Sequence, residues 1–378
     1  MLTRRQFLIA AAATSSAAVI GYIPFAQSQK HWLVSACSNK NNEHFVAAFD
    51  LNGNIINQVK LPARGHDVIA VPNKPGHALV FARRPGTFIL EVDFINGKIA
   101  KQITAAEHSH FYGHGVLSAK DNILLTSEND FATGHGKIVI RDAQNYQILE
   151  QYHSGGIGPH QLGLMPDGNS LVIANGGIQT HPKQPRKKLN IDTMAPNLAY
   201  LNIASGQVED KYALENHKLS IRHLAVSKQG KVIAGLQYQG AKTDLVPLAI
   251  SHHGESSLRY LSASDDVWRR MNQYTASVCI DDNLAIVAIS CPRADLITYW
   301  SLKNGEYLNS ERFADGAGLT HLDNIYATSG KGRLMTSKIT RSANNNNHNS
   351  INNSNNDSVA NVSFAGLKWD NHLTHIVG

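Results

Sequence analysis

Five histidines recur at one place in a repeated stretch of sequence. They are His66 in Gly-His-Asp-Val, His114 in Gly-His-Gly-Val, His160 in Pro-His-Gln-Leu, His223 in Arg-His-Leu-Ala and His372 in Asn-His-Leu-Thr. Neutral imidazole is a common transition-metal ligand and suits iron, copper or zinc better than calcium or magnesium. Imidazoles brought to one centre by a repeat would make a metal site, with iron or copper as the expected ion. The competing reading is structural: a repeat position can also keep a histidine for the same hydrogen bond between neighbouring units. Imidazoles of ordinary pKa, near ~6.5, imply a metal affinity that falls between about pH 7 and pH 5 as protons compete for the lone pairs.

The elements that would position these rings follow from the same repeat. Each histidine opens a short apolar run, which is followed by a turn and a second, β-rich run. The fullest copy spans residues 155–178, with runs at 161–165 and 171–174 around Pro166-Asp167-Gly168. Proline there presets φ and glycine accepts a positive φ, which marks a hairpin. The order recurs at residues 65–82, 113–126 and 222–236. With openings near Thr275 and Ala317 added, the spacings are 48, 46, 63, 52, 42 and 55 residues. These bracket the ~40–50 of propeller repeats, and the openings number seven.

The expected fold is therefore all-β: a seven-bladed β-propeller forming a single domain over residues 31–378. Runs at 32–36, 45–50 and 55–60 lack a first strand, and residues 372–377 are a first strand without successors. Sharing one blade between the chain ends would close the ring and hide its sheet edges. Only residues 265–273 read as a short helix.

In a propeller the inner strands start at one end of the central channel, and loops joining second and third strands lie on the same face. The mouth would then gather the five histidines, with Glu128 and His181 as possible additional ligands and Asn129, Asn175 and Arg222 beside them. Asp67, Glu128 and Asp323 are the acid/base candidates. The blades opening at Thr275 and Ala317 carry no histidine, and His321 lies too far along its strand. His108, His110, His135, His252 and His253 read as exposed loop residues.

Composition narrows the function classes. The formal charge of +6 falls to +4 without Arg4 and Arg5, the only charged residues among the first 26. That excess is too small and scattered for nucleic acid; the one basic cluster, residues 183–188, reads as a solvated loop. Thr3-Arg4-Arg5-Gln6-Phe7-Leu8 before an Ala/Ser-rich apolar run matches a twin-arginine signal over residues 1–26, which implies a periplasmic protein. No other apolar stretch approaches the ~18 residues that span a bilayer. Residues 342–358 are Asn-rich, a composition that cannot bury enough apolar area to order itself, and read as a disordered insertion. Cys37, Cys279 and Cys291 show no CxxC spacing and read as buried thiols; across a hairpin turning at Asp282-Asn283, Cys279 would face about Ala285. No Gly-x-Ser-x-Gly, phosphate-binding loop or His-Glu-x-x-His occurs.

Several motifs also carry a resemblance. Phe111-Tyr112-Gly113-His114-Gly115, Thr126-Ser127-Glu128-Asn129-Asp130, Gly158-Pro159-His160, Ala174-Asn175-Gly176-Gly177-Ile178 with Thr180-His181-Pro182, residues 188–194, and residues 219–224 together resemble the bacterial domain-of-unknown-function family 1513. The resemblance spans essentially the whole chain after the signal. It implies a WD40-like propeller, commonly exported by the twin-arginine route. It also implies a gene neighbourhood of imelysin-type iron-uptake proteins and a di-haem protein. Ala317-Gly318 departs from the Cys-Gly that the resemblance leads one to expect, so no role rests on a cysteine there.

Three functions fit this reading: binding of a transition metal or metal complex as an accessory of iron uptake; a metal-dependent hydrolase or oxidoreductase using Glu128; or a protein-docking scaffold with structural histidines.

Overall fold

The computed structural model describes residues 29–181, 183–184, 187–337 and 360–378. The expected signal at 1–26 and the Asn-rich insertion at 342–358 lie outside the described residues. The chain divides into Met1–Lys30 and His31–Gly378, and the second unit is a seven-bladed β-propeller of antiparallel sheets.

Blade I runs Gly65–Ala70, His77–Ala82, Phe88–Asp93 and Lys98–Thr104. Blade II begins at Ser109–Ser118, blade III at Pro159–Leu164, blade IV at Leu219–Val226, blade V at Val278–Asp281 and blade VI at Gly316–His321. Blade VII takes His31–Asn39, His44–Asp50 and Ile55–Lys60 from the N-terminal side of the chain. Its innermost position is filled from the other end: Thr374–Val377 pairs with His31–Val34, and Leu367–Trp369 pairs with Cys37–Asn39. The ring therefore closes between chain ends as the repeat implies, with two differences. The closing strand starts at Thr374, leaving His372 in the connection before it, and a second short strand joins the same partner. The expected helix is Asp265–Arg270, ending before Asn272 and Gln273, both at positive φ.

Burial explains the composition of each strand position. The second and third strands of a blade are covered on both faces by the neighbouring blades, so His77–Ala82 and Phe88–Asp93 read as nearly unbroken apolar runs. Fourth strands such as Lys98–Thr104 face solvent and are mostly polar. The core consequently sits between blades: Val80, Leu90 and Val92 of blade I pack with Val46, Ala48 and Val59 of blade VII. Each such Val or Leu side chain stabilises the fold by about 1.5–3 kcal/mol through burial. All three cysteines are buried free thiols pushed up to about 12 by burial. Cys279 stands opposite Ala288, not Ala285, because the hairpin turns over residues 282–285.

Candidate metal centre

A repeated backbone irregularity aims the histidines. In blades I, II, III, IV and VI the ladder between first and second strands slips, between Gly65 and Val68, Phe111 and Gly115, Pro159 and Leu162, Ile221 and Leu224, and Gly316 and Leu319. The slipped residues are His66-Asp67, Tyr112-Gly113-His114, His160-Gln161, Arg222-His223 and Ala317-Gly318, each set facing a single residue of the partner strand. A β-bulge bends its strand and re-aims a side chain, and here it aims the rings of His66, His114, His160 and His223 at one another. Blade VI keeps the bulge without the ring: a Cβ on Gly318 would lie 2.8 Å from the His372 carbonyl carbon. Gly113, at φ +99°, makes room in the same way, since a Cβ there would come within 2.7 Å of the His66 ring.

Hydroxyls on second strands hold the backbone that carries the rings. Ser127 Oγ donates to the carbonyls of His114 (3.2 Å) and His160 (2.9 Å), and Ser35 Oγ to that of His372 (2.6 Å).

All five rings meet. His66, His114, His160 and His223 each bring one nitrogen within 4.8 Å of the other three. His114 Nε2 lies 3.3 Å from His160 Nε2, which lies 3.1 Å from His223 Nε2. A tetrahedral ion with bonds of ~2.0–2.1 Å needs nitrogens ~3.3–3.4 Å apart. His372 packs against the His66, His114 and His223 rings at centroid distances of 4.7–4.8 Å. Its Nδ1 lies 3.5 Å from Asp67 Oδ1, in a second group with Asp67 and His114.

Carboxylates fix two of the tautomers. Asp67 Oδ2 accepts from His114 Nδ1 at 2.9 Å, and Asp370 Oδ1 from His66 Nδ1 at 3.0 Å. Each places the proton on Nδ1 and leaves Nε2 a lone pair, the arrangement that orients histidine ligands in metal sites. The two contacts through His160 Nε2 then compete for one proton. His160 Nε2 has to donate to His114, and its single proton cannot point squarely at His223 as well, so the second contact is left with a shared proton or with two N–H groups facing each other. Nδ1 of His160, Nδ1 of His223 and Nε2 of His372 are buried without any partner. A cation among the lone pairs removes the conflict, and the donor set fits a first-row transition metal.

The electrostatics agree with neutral rings. Burial, the largest cause, pulls His66 and His114 down to about 3, and His160, His223 and His372 well below their ordinary value. Burial raises Asp67 to about 6, with the hydrogen bond from the Val68 amide opposing it. Burial also works against the Asp370 carboxylate, but the hydrogen bond from His66 and the charges of Arg83 and Arg64 outweigh it and hold the group below its ordinary range.

Above the rings is a small cavity of about 50 Å³ lined by His66, His160 and His223 together with Arg83, Arg84, Arg222, Tyr112, Tyr274, Gln237 and Asn371. Arg222 is among the residues that line it. Gly176 leaves it room, because a Cβ there would stand 3.1 Å from Arg222 Nη1. Burial, then the charge of Arg84, lowers the Arg222 guanidinium to about 9.

Other expected residues lie elsewhere. Glu128 is not at the mouth. Strand alternation puts it on the face of Thr126, opposite Ser127 and Asn129, where Arg141 Nη1 (2.8 Å), Thr126 Oγ1 (3.0 Å) and the Ala106 amide (3.0 Å) occupy it. Both members of the Glu128–Arg141 pair are fully buried. Glu128→Ala would strand Arg141 and is expected to cost about 3–5 kcal/mol in chemical denaturation, with metal stoichiometry unchanged. His181 sits on the 177–197 loop, its Nδ1 accepting from the Lys183 amide, and does not join the cluster.

Asn175 is occupied by Ser154 and Asn197. Asn129 stands one step back, accepting from the Tyr112 hydroxyl at 3.3 Å. Asp323 accepts from the Tyr326 hydroxyl at 3.1 Å, away from the rings. His110 and His252 are buried, not exposed; His108, His135 and His253 are exposed. The residues that motif reading missed are Asp370, Arg83, Arg84, Gln237 and Tyr274. Asp370 carried a signal, an acid two residues before His372. The others are set by strand ends that no local pattern marks.

Comparison with solved structures gives a fold-level likeness to a chain of the hydrazine synthase of Kuenenia stuttgartiensis, with a TM-score of 0.58 and 12% identity over 85% of this chain and 90% of that one. At that identity the likeness concerns the fold alone. No curated protein matches the sequence. The family model described as protein of unknown function (DUF1513) matches residues 59–376, nearly the whole propeller with its histidine bulges, and the chain belongs to that family.

Proposed function

We propose that this protein binds a transition metal, iron or copper, through His66, His114, His160 and His223 at the channel mouth. His372 and Asp67 support His114, and Asp370 supports His66. We place it in the periplasm on the strength of its twin-arginine pattern, as an accessory of iron uptake. Its proposed partners are the imelysin-type and di-haem proteins that the family resemblance implies.

The observation that carries the metal reading is the run of close Nε2 contacts from His114 through His160 to His223, which at most one proton serves, with two Nδ1 atoms unpartnered. A docking scaffold with structural histidines would pair those nitrogens with backbone of neighbouring blades. The hydrolase or oxidoreductase reading loses Glu128 as its acid/base, since Glu128 is bound to Arg141, and Asp67 at the rings is taken up by His114.

The test is elemental analysis of protein purified from the periplasm, with titration of the metal-free chain by copper(II), zinc(II) and anaerobic iron(II). One ion per chain is expected. His160→Ala should weaken binding by at least ~100-fold, and His223→Ala should cost less in that background than alone, because contacting residues are non-additive. His108→Ala should leave binding as it is. Equal affinity in the wild type and His160→Ala would sink the proposal.

A further inference from the structure

The cavity over the histidines contains more positive charge than the protein balances. Its lining holds Arg83, Arg84 and Arg222 and no acidic residue. Arg83 has a partner, since Asp370 accepts from its Nη1 at 3.5 Å, and Asp370 is further engaged by Arg64 at 2.6 Å and His66 at 3.0 Å. Arg222 is buried and Arg84 partly so, and neither has an ion pair or side-chain hydrogen bond among the described residues. Arg222 Nε and Arg84 Nη1 are themselves buried without an acceptor. Arg84 lies over the Tyr112 ring, 6.0 Å from its centroid.

A guanidinium carries five donors and no acceptor, and it stays charged in proteins. Two such groups buried together without a counter-charge repel each other and forfeit the hydration they had in water. Carboxylate partners are the usual remedy in folded chains, yet none faces them among the described residues. What matches the geometry is an acceptor from outside with several oxygens, since guanidinium forks bind oxyanions through paired hydrogen bonds. The size of the cavity, about 50 Å³, admits a head group and no more.

We propose that Arg84 and Arg222 form a binding site for a small oxyanion head group, carboxylate or phosphate, seated in the cavity beside the histidine nitrogens. The site does not depend on the metal reading, because the guanidinium groups lack an acceptor whether or not an ion sits below them. Anything larger attached to the head group would project out of the channel mouth, past the 177–197 loop. Lys188 of that loop feels the charges of Arg222, Arg293 and Arg84, so the approach is cationic as well and would steer an anion inward.

The experiment is calorimetric titration of the full chain, metal-free and zinc-loaded, with inorganic phosphate and separately with acetate at constant ionic strength. One site per chain is expected. Preference for phosphate would identify a phosphoryl head group, and preference for acetate a carboxylate. Arg84→Gln and Arg222→Gln should each lower affinity by at least ~10-fold. Arg222→Lys, which keeps the charge but loses the fork, should retain part of it. Exposed Arg269→Gln should bind like the wild type.

Circular dichroism will show whether Arg222→Gln is folded; the more exposed Arg84→Gln keeps the proposal falsifiable if it is not. Wild-type protein that binds neither anion tighter than about 10 mM, or folded Arg84→Gln with unchanged affinity, would overturn it. Metal titration in parallel separates the two readings. A chain that binds the anion but no metal overturns only the metal site; one that binds metal but neither anion overturns only this one.

Discussion

Deleting residues 371–378 is expected to leave no soluble folded protein. The deletion removes Thr374–Val377, the strand that pairs with His31, Trp32, Leu33 and Val34, and with it the buried side chains of Leu373 and Ile376. Their burial alone stabilises the fold by about 1.5–3 kcal/mol each. The same eight residues supply the His372 carbonyl bound by Ser35 Oγ, the Val377 carbonyl bound by the Gly76 amide at 2.7 Å, and the Thr374 hydroxyl bound to the Val68 carbonyl. The lost burial and contacts amount to much of the 5–15 kcal/mol that a typical domain has in reserve. The truncation would also leave an inner edge of blade VII open to pairing with other chains. Gel filtration and a thermal melt decide it: a monomer melting cooperatively within a few degrees of the full chain would show that the ring does not depend on this strand.

The ring was legible because a propeller repeats its local rules. His160-Gln161 before Pro166-Asp167-Gly168 and His66-Asp67 before Pro72-Asn73 advertise the same strand, turn and strand, and the spacing supplied the number of blades. Closure was legible too, since residues 32–60 lacked a first strand and the chain ended with a spare one. The second closing segment, Leu367–Trp369, was not, because three residues carry no periodicity.

The histidine cluster could be read from position in the repeat, but its charges could not. Asp67 and Asp370 reach His114 and His66 across blades, from 47 and 304 residues away in sequence, and nothing local encodes such pairs. Glu128 shows the opposite failure. Its place near a strand end suggested the channel, whereas one step of alternation turned it to Arg141. Arg84 lies just past a strand end and its role depends on the cavity around it, which no motif describes.

Acid should unfold the metal-free protein through the same histidines. In an unfolded chain they titrate near ~6.5; in the fold, burial holds His66 and His114 at about 3 and the other three well below their ordinary value. Above about pH 6.5 both states are neutral and the rings add no pH dependence. As pH falls below ~6.5 the unfolded state gains protons that the folded state cannot take, so stability falls, and it keeps falling toward about pH 3. Each ring contributes up to ~1.4 kcal/mol per pH unit, so five together approach ~7 kcal/mol per unit. Asp67 opposes them by one proton: raised to about 6, it is protonated in the fold before it is in the unfolded chain, so falling pH relieves it. Asp370, held low, adds to the loss only below its ordinary pKa, near pH 4.

The net expectation is a melting temperature roughly level from pH 8 to 6.5 and dropping steeply by pH 5. His160→Gln should shallow the slope by about one proton. Metal binding to the fold should then hold between pH 7 and pH 5, in contrast to the decline expected of imidazoles with ordinary pKa values, because the folded rings have already shed their protons. Bound zinc should also carry the protein to lower pH before it melts, by linkage. Equal melting temperatures at pH 8 and pH 5 in the metal-free protein would mean that the buried rings are charged in the fold or open readily to water.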